Sequence, residues 1–255
     1  MPRNESVVSP PSHCPNCDHK IKWYENIPLL SWIFLRGKCS GCHAPISVRY
    51  FSVELLTGLL FLAVWYRIFT HIPTSSPLFF PVLIIYFYLT VFIVLTSFID
   101  YDHRIIPNKI TYPAIILGFV ISSVYPNLWP LSHGKPFVAL MCSTASVVVL
   151  AGGLLLFAKL GKLYFKKDAL GWGDIKYIAA IAAILGPYAG FFSIFIGSLT
   201  GGLGGLLLVL LKKGKLRSGI PLGPHLAFGT FVWMMYGPEL VKLYFLLINH
   251  IHQTF

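Results

Sequence analysis

Long apolar runs, separated only by short polar segments, constrain this chain more than any other feature. From residue 52 onward they are Ser52–Phe69, Leu78–Ile99, Ile110–Tyr125, Phe137–Ala158, Ile175–Leu185, Ala189–Leu211 and Leu226–Ile248. A helix needs about 20 apolar residues to cross the hydrocarbon core of a bilayer, and most of these runs approach that length. Charged residues make up only 11% of the chain and hydrophobic ones 56%, whereas soluble domains average about 25% charged. So few charges cannot clothe a water-facing surface. The expected fold is therefore an all-α polytopic membrane protein with about seven transmembrane helices, preceded by a small polar head.

Two of the runs are irregular. Ile175–Leu185 has only 11 residues, which puts Asp174, Lys176 and the Pro187-Tyr188 turn near the two membrane faces. Leu226–Ile248 is interrupted by Gly237-Pro238-Glu239; it reads either as one kinked span or as a span followed by an interfacial segment. The expected organisation is a head over residues 1–51 and a membrane domain over 52–255.

The distribution of positive charge orients the chain. When the head is placed on one side and the runs alternate, 17 of the 20 Lys and Arg fall on the head's side, leaving Arg67, Lys135 and Lys242 on the other. Such a bias marks the cytoplasmic face, so the head, Asp100 and Asp174 are all expected there. The same distribution accounts for the net charge of +11 without invoking nucleic acid, for which no recognition motif is present. Met1 to His13 lack the apolar core of a signal peptide, so membrane insertion is expected to use the internal runs.

In the head, Cys14-Pro-Asn-Cys17 and Cys39-Ser-Gly-Cys42 are separated by 21 residues. Two C-x-x-C knuckles at this spacing can present four thiolates tetrahedrally to one Zn²⁺, and the intervening Pro, Asn, Ser and Gly are turn residues. A redox pair or a disulfide is the competing reading, disfavoured in a reducing compartment. Cys142 sits in an apolar run and reads as a small hydrophobe. The segment Trp23 to Trp32 between the knuckles reads either as resting at the membrane interface or as a small core beneath the metal.

The chain has nine acidic residues. Glu54, Asp100, Asp102, Asp174 and Glu239 adjoin or enter apolar runs, where charge is costly and usually functional. Asp100 ends the second run and Asp174 opens the fifth, which places two carboxylates at similar depth on one face. Two such groups in a partly dry site share a proton, so one can act as base and the other as acid on a water molecule. Gly171 and Gly173 are expected to give the Asp174 turn its freedom and its close approach. The alternative for Asp174 is a plain negative charge at a helix N-terminus.

Taken together, these motifs resemble the type IV prepilin peptidases, the leader peptidase/N-methyltransferases of the G-x-G-D membrane aspartyl protease class. The resemblance rests on the paired C-x-x-C head, Glu25-Asn26-Ile27-Pro28-Leu29-Leu30-Ser31-Trp32, Arg49-Tyr50 with Val53-Glu54-Leu55, and Ile99-Asp100 to Ile106-Pro107-Asn108. It continues through Gly171-Trp172-Gly173-Asp174-Ile175-Lys176 to Ile220-Pro221-Leu222-Gly223-Pro224. It implies catalysis by Asp100 and Asp174, with Asp102 as the alternative to Asp100. The implied reaction is cleavage of type IV prepilins and pseudopilins after a glycine, at the cytoplasmic face of the bacterial inner membrane. Methylation of the new N-terminal residue from S-adenosylmethionine is implied as well. Family members carry a further transmembrane helix before the head, which this sequence is expected to lack. A peptidase without methyl transfer is the first alternative, and a non-enzymatic transporter or scaffold the second.

Overall fold

The computed structural model describes residues 12–166, 170–211 and 221–254. Arg3, Glu5, Lys167, Asp168, Lys212, Lys213, Lys215, Arg217 and Ile220, which enter the charge and motif readings above, lie outside the described residues. All the long elements are helices, and the only β-structure among the described residues is two isolated bridges. By compactness the chain divides into one unit up to Thr90 and a second from Val91.

The first unit holds the head and the start of the membrane segment. A short helix, α1 (Leu30–Phe34), precedes α2 (Val48–His71). Ser47 caps α2 by accepting the Arg49 N–H at 3.3 Å, which satisfies one of the orphan donors of a helix start. The next helix, α3 (Phe79–His103), begins in this unit, where Phe87 meets Phe61 of α2 edge-on at 4.8 Å.

The second unit continues α3 and adds α4 (Asn108–Val124), α5 (Pro136–Phe165), α6 (Trp172–Leu185), α7 (Pro187–Leu210) and α8 (Gly223–Thr254). Proline opens α5 and α7, where its missing N–H would have no partner anyway. The α6–α7 corner is a single residue, Gly186, at φ +89°, a conformation that glycine adopts without steric cost.

Among the described residues, four helices are long and apolar enough to cross a membrane: α2, α3, α5 through Tyr164, and α7. Helix α4 is shorter. Helix α6, built on the 11-residue run, is the central element: residues Ile175 and Tyr177 to Ile184 are buried, and it packs on α4, α5 and α7. A run of 10–14 apolar residues suits a buried core helix better than a lipid-facing span. Its alanines let neighbours approach closely; a Cβ on Gly118 of α4 would lie 2.5 Å from the Ala183 Cβ and 2.7 Å from its carbonyl carbon. Helix α8 runs unbroken through Pro238.

Hydroxyls tie the helices together where no water is at hand. Thr230 of α8 bonds Tyr177 Oη of α6 at 2.9 Å and Ser193 Oγ of α7 at 3.0 Å, and Ser143 of α5 donates to the Ala183 carbonyl at 2.9 Å. Among the described residues no buried side-chain polar atom lacks a partner, as an apolar surrounding requires.

Candidate functional site

The cysteine head is two copies of one knuckle. In the first, the Cys14 N–H bonds the His19 carbonyl, Asp18 N–H bonds the Cys14 carbonyl, and Ile21 N–H bonds the Ser12 carbonyl. The second repeats the pattern 25 residues later (39 − 14), with Cys39 to Ala44, His43 to Cys39, and Ile46 to Gly37. Asp18 and His43 occupy the same place in the two copies, and both have left-handed backbone at φ 53° and 56°. The signal was present in the sequence as C-x-x-C-x-x-x-Ile at both sites, but it is too short and degenerate to read as a repeat.

The two turns bring the Sγ atoms of Cys14, Cys17, Cys39 and Cys42 within 4.8 Å of one another. Zinc–sulfur bonds of about 2.3 Å in a tetrahedron place sulfurs about 3.8 Å apart, and Cys14 and Cys42 are separated by 3.8 Å. That distance is far beyond a disulfide bond of about 2.05 Å, and all the cysteines are free thiols. The donor set therefore fits Zn²⁺. The backbone N–H groups of Cys42 and Gly41, aimed at Cys39, hold its thiol down to about 6. At Cys17 the His19 amide pulls the other way but is outweighed by the Cys42 thiol, desolvation, and Cys14 and Cys39, leaving it at about 12.

Of the histidines beside the knuckles, His19 is engaged elsewhere, its Nε2 lying 3.2 Å from Glu25 and 3.0 Å from Ser40 Oγ. Trp32 covers the second knuckle, with its Nε1 3.4 Å from the Ile46 carbonyl, and meets Phe51 of α2 at 5.1 Å. By contrast, Trp23 is 81% and Phe34 80% exposed, so they build no core beneath the metal site. Glu54 of α2 accepts the Leu29 N–H at 2.8 Å, pinning a non-glycine residue whose φ is +62°.

In the second unit, Asp100 lies in the last turn of α3 and Asp174 in the first turn of α6. Their carboxyl groups are close enough for their charges to interact. Asp100 is 6% exposed, and its Oδ2 accepts the backbone N–H of Gly223, the first residue of α8, at 2.8 Å. Asp102, two residues on, is exposed. Asp174 accepts the N–H of Gly171, the residue that caps α6.

Neither Gly171 nor Gly173 has a positive φ, so these glycines serve by their lack of a side chain. A Cβ on Gly173 would sit 3.0 Å from the Ile106 Cβ and 3.2 Å from its N; one on Gly171 would sit 3.0 Å from the Asp174 Oδ2. The start of α6 thus rests directly on the α3–α4 corner. Lys176 completes the seat, donating to Asn108 Oδ1 at 2.5 Å and lying 5.2 Å from the Tyr112 ring centre. Sequence reasoning gave no role to Gly223, Lys176 or Asn108, because each acquires its partner from a distant part of the chain.

The family description "Bacterial Peptidase A24 N-terminal domain" matches residues 1–68, which include the four cysteines, and "Type IV leader peptidase family" matches residues 86–206, which include both aspartates. Relatives named prepilin leader peptidase/N-methyltransferase include one from Aeromonas hydrophila, 36% identical over 95% of this chain and 80% of that protein. Another is from Pseudomonas aeruginosa, 32% identical over 94% of this chain and 76% of that protein. A third, from Neisseria gonorrhoeae, is 34% identical over 89% of this chain and 69% of that protein. No solved structure matches. With identities above 30% across most of both chains and both family descriptions aligned in order, the chain belongs to the type IV leader peptidase family.

Proposed function

We propose that this chain is a bifunctional prepilin leader peptidase and N-methyltransferase. Residues 1–51 form its zinc head and 52–255 its membrane peptidase domain, with both facing the cytoplasm at the bacterial inner membrane. Its substrates are type IV prepilins and pseudopilins, cut after a glycine. The observation that carries the peptidase reading is the placement of Asp100 in the last turn of α3 and Asp174 in the first turn of α6, near enough for the charge of one to act on the other.

Such a pair can hydrolyse a peptide without a covalent intermediate. One carboxylate takes a proton from water as the oxygen adds to the scissile carbonyl, while the protonated partner donates to the carbonyl oxygen. The tetrahedral species then collapses, and a carboxyl proton passes to the departing amine. Burial of Asp100 keeps bulk water from competing for these protons, and the exposure of Asp102 favours Asp100 as the working residue. A cation transporter would want its carboxylates near the midplane, whereas here they stand at helix ends.

Cys14, Cys17, Cys39 and Cys42 would hold Zn²⁺ with no open position, which suits a structural metal. The methyl donor is S-adenosylmethionine by family resemblance, supported by the names of the relatives.

Asp100→Ala and Asp174→Ala variants in lipid nanodiscs are expected to lose prepilin cleavage while keeping the wild-type melting temperature. Normal cleavage by a folded Asp174→Ala variant would overturn the assignment. Mass spectrometry of the processed pilin tests methylation, and an unmodified N-terminus would leave the peptidase alone.

A further inference from the structure

Resting on the reading of Asp100 as catalytic, we propose that Gly223 is a positioning residue of the peptidase site. Its backbone N–H, at the start of α8, fixes Oδ2 of Asp100 and so sets the orientation of the carboxyl group. The hydrogen bond is 2.8 Å long, buried, and joins residues 123 apart in sequence.

The donor inventory of the first turn of α8 supports this role. A helix start leaves its first four N–H groups without intrahelical partners. Here the N–H groups of His225 and Leu226 both turn back to the Leu222 carbonyl, at 3.0 and 2.9 Å. Pro224 has none. Gly223 thus supplies the donor that reaches outward, and it reaches the carboxylate.

The space around Gly223 adds a second, independent constraint. A Cβ at this position would lie 2.7 Å from both the Cβ and the Oδ2 of Asp100 and 3.0 Å from its Cγ. Any side chain would push the carboxyl group aside, so only glycine lets the N–H come within bonding distance. The helix cannot retreat to make room, because α7 clamps it. A Cβ on Gly197 would meet the Leu226 N and Cα at 3.1 Å, and one on Gly229 would meet the Ser193 carbonyl oxygen at 2.9 Å. The two helices are already in backbone contact, and that contact sets the height of Gly223 against α3.

A catalytic group must be held within a fraction of an ångström, and a displacement of about 1 Å can cost about 100-fold in rate. Gly223→Ala in the full chain, in nanodiscs with a prepilin substrate, is therefore expected to lower kcat about 100-fold with KM within about threefold of wild type. Replacing Gly223 by glycolic acid, which turns the donating N–H into an ester oxygen and adds no atoms, is expected to lower kcat about tenfold. It carries the test if the alanine variant fails to fold. Gly197→Ala, which presses on the Leu226 backbone and so shifts α8, is expected to lower the melting temperature and, by moving Gly223 against Asp100, to lower kcat as well.

Wild-type kcat in the ester variant would overturn the proposal, as would a Gly223→Ala defect confined to KM. Failure of the wild-type chain to cleave, or normal cleavage by Asp100→Ala, would instead overturn the functional reading on which the proposal rests.

Discussion

Lys176 Nζ donates to Asn108 Oδ1 at 2.5 Å, joining the first turn of α6 to the first residue of α4. The same ammonium lies 5.2 Å from the Tyr112 ring centre. The pair thus seats the turn that carries Asp174, two residues earlier. A surface hydrogen bond and an exposed cation–π contact together contribute about 1–2 kcal/mol. Lys176→Met is expected to cost a few degrees of melting temperature but more than about tenfold in cleavage rate, since orientation dominates catalysis. Parallel melting and initial-rate measurements check this; a wild-type rate would show that Asp174 is seated without the tie.

Close packing of α4 on α6 predicts an asymmetry between two glycines. At Gly118 an added methyl would lie 2.5 Å from Ala183, whereas at Gly152 of α5 it would meet nothing within 4 Å. Overpacking costs about 1–3 kcal/mol, and the gain in helix propensity returns about 1 kcal/mol. Gly118→Ala should therefore lower the melting temperature, while Gly152→Ala should leave it unchanged or raise it. Thermal unfolding in detergent measures both.

The head should depend on its metal. Four thiolates around one cation would replace a core that Trp23 and Phe34, both exposed, do not provide, and in such domains metal binding and folding are linked. Cys14→Ser or Cys39→Ser is expected to drop zinc from one per chain to nearly none and to expose the amides of residues 12–46 to hydrogen exchange. Metal analysis and exchange mass spectrometry read the two effects, and zinc kept at one per chain would contradict the ligand set.

Glu25 offers a pH signature. The Lys22 backbone N–H, then Ser40 and His19, hold its carboxyl down to about 2 from an ordinary 4.5. A carboxyl group held lower in the folded state stabilises it above its unfolded pKa, and loses that contribution as pH falls toward the folded value. The difference in melting temperature between wild type and Glu25→Gln should be full above pH 4.5 and should close between pH 4.5 and about 2. A difference that persists at the acid end would mean that Glu25 acts through packing rather than charge.

The sequence by itself determined that the chain enters a membrane as helices, because apolar run length is a local property and lipid leaves the backbone few alternatives. It also determined the four cysteines as a group, since C-x-x-C spacing fixes each knuckle within a single turn. The placement of Asp100 and Asp174 at helix ends could be anticipated from their positions at run ends. Only the tertiary structure separated Asp100 from Asp102: both end the same helix, and their burial depends on which face meets α8. It also explained the 11-residue run as a helix surrounded by others, which needs no lipid-spanning length. The Gly223 N–H on Asp100 and the Lys176 bond to Asn108 lie beyond any local reading. Their partners are 123 and 68 residues away, and the contacts exist only once helix packing has brought those ends together.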